Sequence, residues 1–223
     1  MTNLILIDGP AGSGKSTLAT ELAAALPDHV LLSEMAADHP LHPVQVGAIG
    51  ADFTAVRDMD VATLGDLLLS KWTSFLESAN SQGRGYVLES YPYQSHLRVM
   101  WQMNAGEAIL SSWLSRLHEI LEPHNPFLVM LRFSGGEERV RLVCERRGEQ
   151  WTQYIVDFVA NTAYGKARGL VGFEGALALF NAYITALDVW SETWPYRRLD
   201  FDAWDALPAL QAEKILRQLT GNP

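Results

Sequence analysis

The stretch Leu4-Ile5-Leu6-Ile7-Asp8-Gly9-Pro10-Ala11-Gly12-Ser13-Gly14-Lys15-Ser16-Thr17 decides the fold. A short apolar run stops at Asp8 and a glycine-rich turn follows. From Lys15 onward Leu18, Leu22, Ala23 and Leu26 recur at helical spacing until Pro27. Strand, loop and helix follow one another, and the loop, residues 9–17, is a full GxxxxGK[ST] pattern in the context that pattern requires. Gly9, Gly12 and Gly14 let the backbone wrap without Cβ clashes, so that consecutive N–H groups and the amino end of the next helix converge on phosphate oxygens. Pro10, Ala11 and Ser13 complete this cradle. Lys15 supplies a point charge to the β- and γ-phosphates, the Ser16 hydroxyl is placed to ligate Mg²⁺, and Thr17 starts the helix near the α-phosphate. Binding of a nucleoside triphosphate with Mg²⁺ is the expectation.

Working outward, further short apolar runs read as strands. His29–Leu32 ends in Ser33-Glu34, and residues 86–88 end in Glu89-Ser90 before Pro92. Residues 127–133 meet Gly135-Gly136, and the weaker run 196–201 carries Arg197, Arg198 and Asp200. Helical spacing fills 52–79, 106–121, 137–146, 151–164, 173–194 and 211–219. Strands alternating with helices imply right-handed crossovers and a five-stranded parallel sheet covered on both faces, hence continuously apolar strands. Repeats, low-complexity tracts and long linkers are missing, so one domain over 1–223 is expected.

Composition bounds the function. The 223 residues are 48% hydrophobic and 19% charged, which places the chain among globular proteins. A net charge of −9 makes nucleic acid an unlikely main partner, and it weakens a polynucleotide end kinase reading. The single cysteine, Cys144, excludes an intrachain disulfide and a cysteine-based zinc site. Met1-Thr2-Asn3 has no basic region of the secretory type. The most apolar stretch, 176–190, contains Asn181 and Asp188, so a soluble, cytoplasmic protein without membrane contact is expected. A homodimer remains open.

In four places the chain resembles the P-loop kinases of nucleosides, nucleotides and other small molecules, the group that includes thymidylate, deoxynucleoside and adenylate kinases. These are residues 9–17, the acid in Leu32-Ser33-Glu34, the acid in Leu88-Glu89-Ser90-Tyr91-Pro92, and the arginine-bearing helix after the fourth strand. The resemblance implies a P-loop NTPase α/β fold of three layers, α/β/α, with a helical lid. It also implies ATP-dependent transfer of the γ-phosphoryl group to a small-molecule hydroxyl or phosphate, a nucleoside or nucleotide foremost. Family members often carry Asp-Arg or Asp-Gly-x-Pro on the third strand. Here Glu89 replaces the aspartate with no arginine directly behind it, which leaves the acceptor open.

Acids at strand carboxyl ends beside the loop are the groups phosphoryl transfer would use. Glu89 is assigned to magnesium, and Glu34 to the acceptor hydroxyl or general base, with a turn cap as its structural alternative. In 137–148, Arg146 and Arg147 are the lid arginines expected on phosphate, while Arg139 and Arg141 are expected to pair with neighbouring glutamates. The glycine-rich connector 164–175 reads as a plain loop, with an acceptor wrap as alternative. Asp38-His39-Pro40-Leu41-His42-Pro43 reads as a turn rim near the acceptor pocket rather than a metal site. Most of the seven tryptophans, Trp72, Trp101 and Trp113 included, fit the core, with an aromatic acceptor pocket as alternative. The competing class is a regulatory P-loop NTPase that hydrolyses nucleotide without an acceptor.

Overall fold

The computed structural model describes residues 4–43 and 59–220. β1 (Leu4–Asp8) leads through the glycine loop into α1 (Lys15–Ala25), followed by β2 (His29–Leu32), α2 (Val61–Gln82) and β3 (Gly85–Glu89). A π-helical turn, Tyr93–Leu97, runs into α3 (Arg98–Gln102), and α4 (Glu107–Leu121) and β4 (Phe127–Arg132) come next. The chain continues through α5 (Gly136–Arg147), α6 (Glu149–Asn161), α7 (Ala163–Ala167), α8 (Gly172–Glu192), β5 (Arg197–Asp202) and α9 (Pro208–Thr220).

The strands form one parallel sheet in the order β2-β3-β1-β4-β5. From β1 the chain steps one way to β2 and afterwards the other way, so right-handed crossovers put α1 on one face and α2, α4 and α8 on the opposite face. The packing agrees: α9 returns to lie on α1, and α2 lies on α4. Every residue of β1 and β3 is buried, which explains their continuously apolar character, whereas the edge strands β2 and β5 are only partly covered. Ile7 lies opposite Glu89, and Asp8 opposite Met130. Both acids therefore sit at the carboxyl edge of the sheet, where the strand order reverses and a crevice opens.

Trp72, Trp101 and Trp113 lie in the core, as expected from the sequence. Trp113 donates its Nε1–H to the Gly65 carbonyl at 3.0 Å, joining α4 to α2. Fully burying apolar side chains of this kind is worth about 1.5–3 kcal/mol each. Among the described residues no helix is long and apolar enough to cross a membrane.

The structure differs from the sequence reading in four places. The helix expected over 52–79 is α2, whose start is set by Asp60: its Oδ1 accepts from Thr63 N at 2.9 Å, and the helix runs on to Gln82. Residues 52–58 lie outside the described residues. The helix expected over 151–164 breaks at Thr162, whose hydroxyl accepts from Gly165 N and starts α7 instead. The segment 93–102, left without assignment by sequence, is helical throughout.

The fourth concerns 38–43, which is no rim. His39 and His42 are 1% and 0% exposed. Their rings stack at 5.0 Å, and His39 stacks on Tyr91 at 4.5 Å. His96 meets the same tyrosine edge-on at 4.9 Å, accepts from Trp72 Nε1 at Nδ1 and donates to the Leu41 carbonyl. Burial pushes the imidazoles of His39 and His96 down to about 3, so both are neutral. Burial lowers His42 as well.

Candidate active site

The glycine loop is held by close approach from its neighbours. A Cβ on Gly9, at φ +147°, would come 2.4 Å from the Leu131 carbonyl of β4. One on Gly12, at φ +82°, would come 2.6 Å from Val143 Cγ2 of α5. Glycine is required at both positions by space as well as by conformation.

Asp8, at the end of β1, organises what surrounds the loop. Its fully buried carboxylate accepts from Gly9 N at 2.7 Å, Tyr93 N at 2.7 Å and Gln94 N at 3.2 Å. Burial pushes this carboxyl up to about 6, against the opposing pull of Lys15 and those three amides. Lys15 is 5% exposed and donates to the Pro10 carbonyl at 2.9 Å and to Gln94 Oε1 at 3.0 Å. Burial pushes its ammonium below the usual lysine range, opposed by Glu34, Asp8 and Glu89. A bound polyanion would relieve that cost directly.

The structure brings Glu34 and Glu89 together at the same crevice. Ser16 Oγ donates to Glu89 Oε1. Ser33 Oγ, at 2.8 Å, and Glu34 N, at 3.4 Å, donate to Glu89 Oε2. Glu34 Oε1 accepts from Ser95 Oγ at 3.0 Å, and its backbone carbonyl accepts from His42 Nε2 at 3.0 Å. The Ser16 hydroxyl beside the Glu89 carboxylate is a hard-oxygen pair of the kind Mg²⁺ takes. Among the described residues no group of three or more His, Cys, Asp or Glu is arranged to hold a metal by itself.

A cavity of about 1050 Å³ extends from the glycine loop. Its floor carries Glu34, Glu89 and then Gln94, Arg98 and Gln102, spaced four apart on one helical stripe. Arg98 donates to the Gln94 carbonyl at 2.7 Å and to Gln102 Oε1 at 3.1 Å, which fixes its direction. Trp151, Tyr154 and Phe158 of α6 with Phe180 and Tyr183 of α8 form an aromatic wall of the same cavity. Arg146 and Arg147 line the cavity too, the first 4.2 Å from the Trp204 ring and the second 5.1 Å from the Trp151 ring. Of the tryptophans, Trp151 and Trp204 are those that reach the cavity.

Arg141 pairs with the neighbouring Glu137 at 2.8 Å, as expected, and also with Glu174 of α8 at 3.1 Å. Arg139 does not pair with a neighbouring glutamate; it lies 3.6 Å from Asp202. Glu138 and Glu137 stand one and two residues away, spacings that do not face each other on a helix. The connector 164–175 does not line the cavity: Arg168 stacks over Tyr164 at 3.5 Å and donates to Asn104. Sequence reasoning missed Asp8, Gln94, Arg98 and Trp204. The four-residue spacing of Gln94, Arg98 and Gln102 was the available signal for that stripe.

No protein-family model and no curated protein matches the chain. Among solved structures it is similar to the YorR protein of Bacillus subtilis, crystallised in complex with phosphorylated GDP. The identity is 12%, the TM-score 0.55, and the match covers 97% of this chain and 95% of that one. It is also similar to a tRNA Δ2-isopentenylpyrophosphate transferase of Staphylococcus epidermidis, at 11% identity and a TM-score of 0.51, covering 99% of both chains. What is shared at such identities is the fold, a three-layer α/β/α architecture around one parallel sheet.

Proposed function

We propose that the protein is an ATP-dependent phosphotransferase that moves the γ-phosphoryl group to a small-molecule hydroxyl or phosphate, with a nucleoside- or nucleotide-like acceptor foremost. The observation that carries this reading is the extent of the cavity. At about 1050 Å³ it stands at the upper end of the roughly 300–1,000 Å³ of ligand sites, and its lining runs from the glycine loop to a group of aromatic rings. Those rings, set beyond the loop, offer an acceptor a surface that nucleotide hydrolysis alone would not need. The rings of Trp151, Tyr154, Phe158 and Phe180 suit a planar acceptor. The buried Tyr183 hydroxyl has no hydrogen-bond partner among the described residues, and a polar acceptor would supply one.

In this reading residues 9–17 bind the triphosphate, and Lys15 exchanges Pro10 and Gln94 for phosphate oxygens. Ser16 and Glu89 would hold Mg²⁺. When bound, the metal would supply positive charge against the phosphates. Glu34, oriented by Ser95, takes the proton from an acceptor hydroxyl. Arg146 and Arg147 bring positive charge to the migrating group from the α5 wall, while the aromatic wall excludes water. Catalysis then consists of alignment and charge neutralisation, with little covalent work by the protein. The test is incubation with γ-labelled ATP, Mg²⁺ and panels of nucleosides, nucleotides and aminoglycosides. Label is expected on at least one acceptor; brisk hydrolysis with transfer to none would favour the regulatory NTPase.

A further inference from the structure

Trp204 lies between β5 and α9, 192 residues from the glycine loop, yet three features meet on it. Its indole Nε1–H donates to the Gly12 carbonyl at 3.1 Å. Arg146 and Arg139 both stand over its ring, at 4.2 and 4.9 Å from the centroid, and their spacing of seven puts them two turns apart on one side of α5. Its backbone sits at φ 78°, a conformation that a bulky L-residue rarely adopts.

The loop is pinned around this residue. Ala203 N donates to the Arg132 carbonyl at 2.7 Å, and Asp202 Oδ2 accepts from Ser134 N at 3.1 Å. Phe133 packs against the indole at 5.5 Å. Backbone strain persists where its surroundings over-determine it, and here those surroundings are the donor-phosphate loop and the arginine wall. The Gly12–Ser13 peptide is gripped at both ends, its carbonyl by Trp204 and its N–H by the Pro10 carbonyl at 3.2 Å. Because that peptide is planar, two such grips set its orientation.

We propose that Trp204 is a positioning residue for nucleotide binding: its N–H orients the Gly12–Ser13 peptide of the phosphate loop, and its ring holds Arg146 at the cavity. This rests on the reading of residues 9–17 as a triphosphate cradle. Two variants separate the two grips. Trp204→Phe keeps a ring for Arg146 and loses the N–H; Trp204→Leu loses both.

MgATP titrated calorimetrically into the full-length protein should bind about threefold more weakly to Trp204→Phe, the effect of one modest hydrogen bond, and about thirtyfold more weakly to Trp204→Leu. A purely structural role would weaken MgATP and MgADP alike, whereas Trp204→Leu, which frees Arg146 from its ring, should lower the ratio of MgATP to MgADP affinity and Trp204→Phe should keep the wild-type ratio. Wild-type affinity in Trp204→Leu, or an unchanged ratio there, overturns the proposal. Should Trp204→Leu fail to fold, the MgATP affinity of Trp204→Phe decides alone, and a wild-type value overturns the proposal. If the wild type itself binds no MgATP, the cradle reading falls first, and the role of Trp204 with it.

Discussion

Acidification should destabilise this protein through its buried imidazoles. In the unfolded chain His39 and His96 titrate near 6.5, whereas in the folded core burial holds them down to about 3. Below pH 6.5 the unfolded state binds two protons that the folded state refuses, so their contribution is present above 6.5 and lost as pH falls toward 3. From pH 7 to 4.5 each imidazole costs about 2.5 kcal/mol of stability, together about 5 kcal/mol. Asp8 acts in the opposite sense. Its folded carboxyl is pushed up to about 6 from 3.8, so the folded state binds the extra proton over that interval. Stabilisation from this group grows as pH falls through 6 and returns about 2 kcal/mol, leaving a net loss of about 3 kcal/mol. Urea unfolding followed by circular dichroism at pH 7, 6, 5 and 4.5 measures it. In His96→Phe the slope of stability against pH should drop by about 1.4 kcal/mol per unit, whatever that variant's absolute stability. Stability that stays level or rises on acidification, or a slope unaltered in His96→Phe, would refute the assignment of these rings as buried and neutral.

Two further outcomes follow from the loop itself. Lys15→Ala should keep its fold, because it removes a buried ammonium, yet lose the stabilisation that MgATP gives the wild type, about 2.7 kcal/mol at a hundredfold excess over Kd; thermal scans with and without nucleotide check this. Gly12→Ala places a Cβ 2.6 Å from Val143 and should cost about 1–3 kcal/mol for the clash, with about 1–2 kcal/mol more for the conformation. Adding Val143→Ala should recover part of the clash component in urea melts, which a purely conformational penalty would not allow.

The parts of the fold and site legible in the sequence are those whose signal is local. The loop 9–17 carries its chemistry in contiguous residues, and Glu34 and Glu89 betray themselves as acids closing apolar runs. Arg146 and Arg147 sit in the last turn of an arginine-rich helix, and the structure lines the cavity with them. What could not be read depends on distant partners. Trp204 meets Gly12 across 192 residues, and nothing in its neighbourhood announces that. Asp8 looked like the end of a strand, because its amide partners at Tyr93 and Gln94 come from another element. His39 and His42 sit among prolines and beside an aspartate, a surface-like pattern that stacking on Tyr91 overrides. The stripe Gln94, Arg98 and Gln102 follows Pro92 directly, and a helix that begins with a π-helical turn has a weaker periodic signature.

One carboxylate bonds both to the amide that opens the glycine loop and to the first amides of the helical stripe. The glycine loop and the helical stripe that lines the same cavity therefore share one anchor on the central strand, and a change at that carboxylate would displace both together.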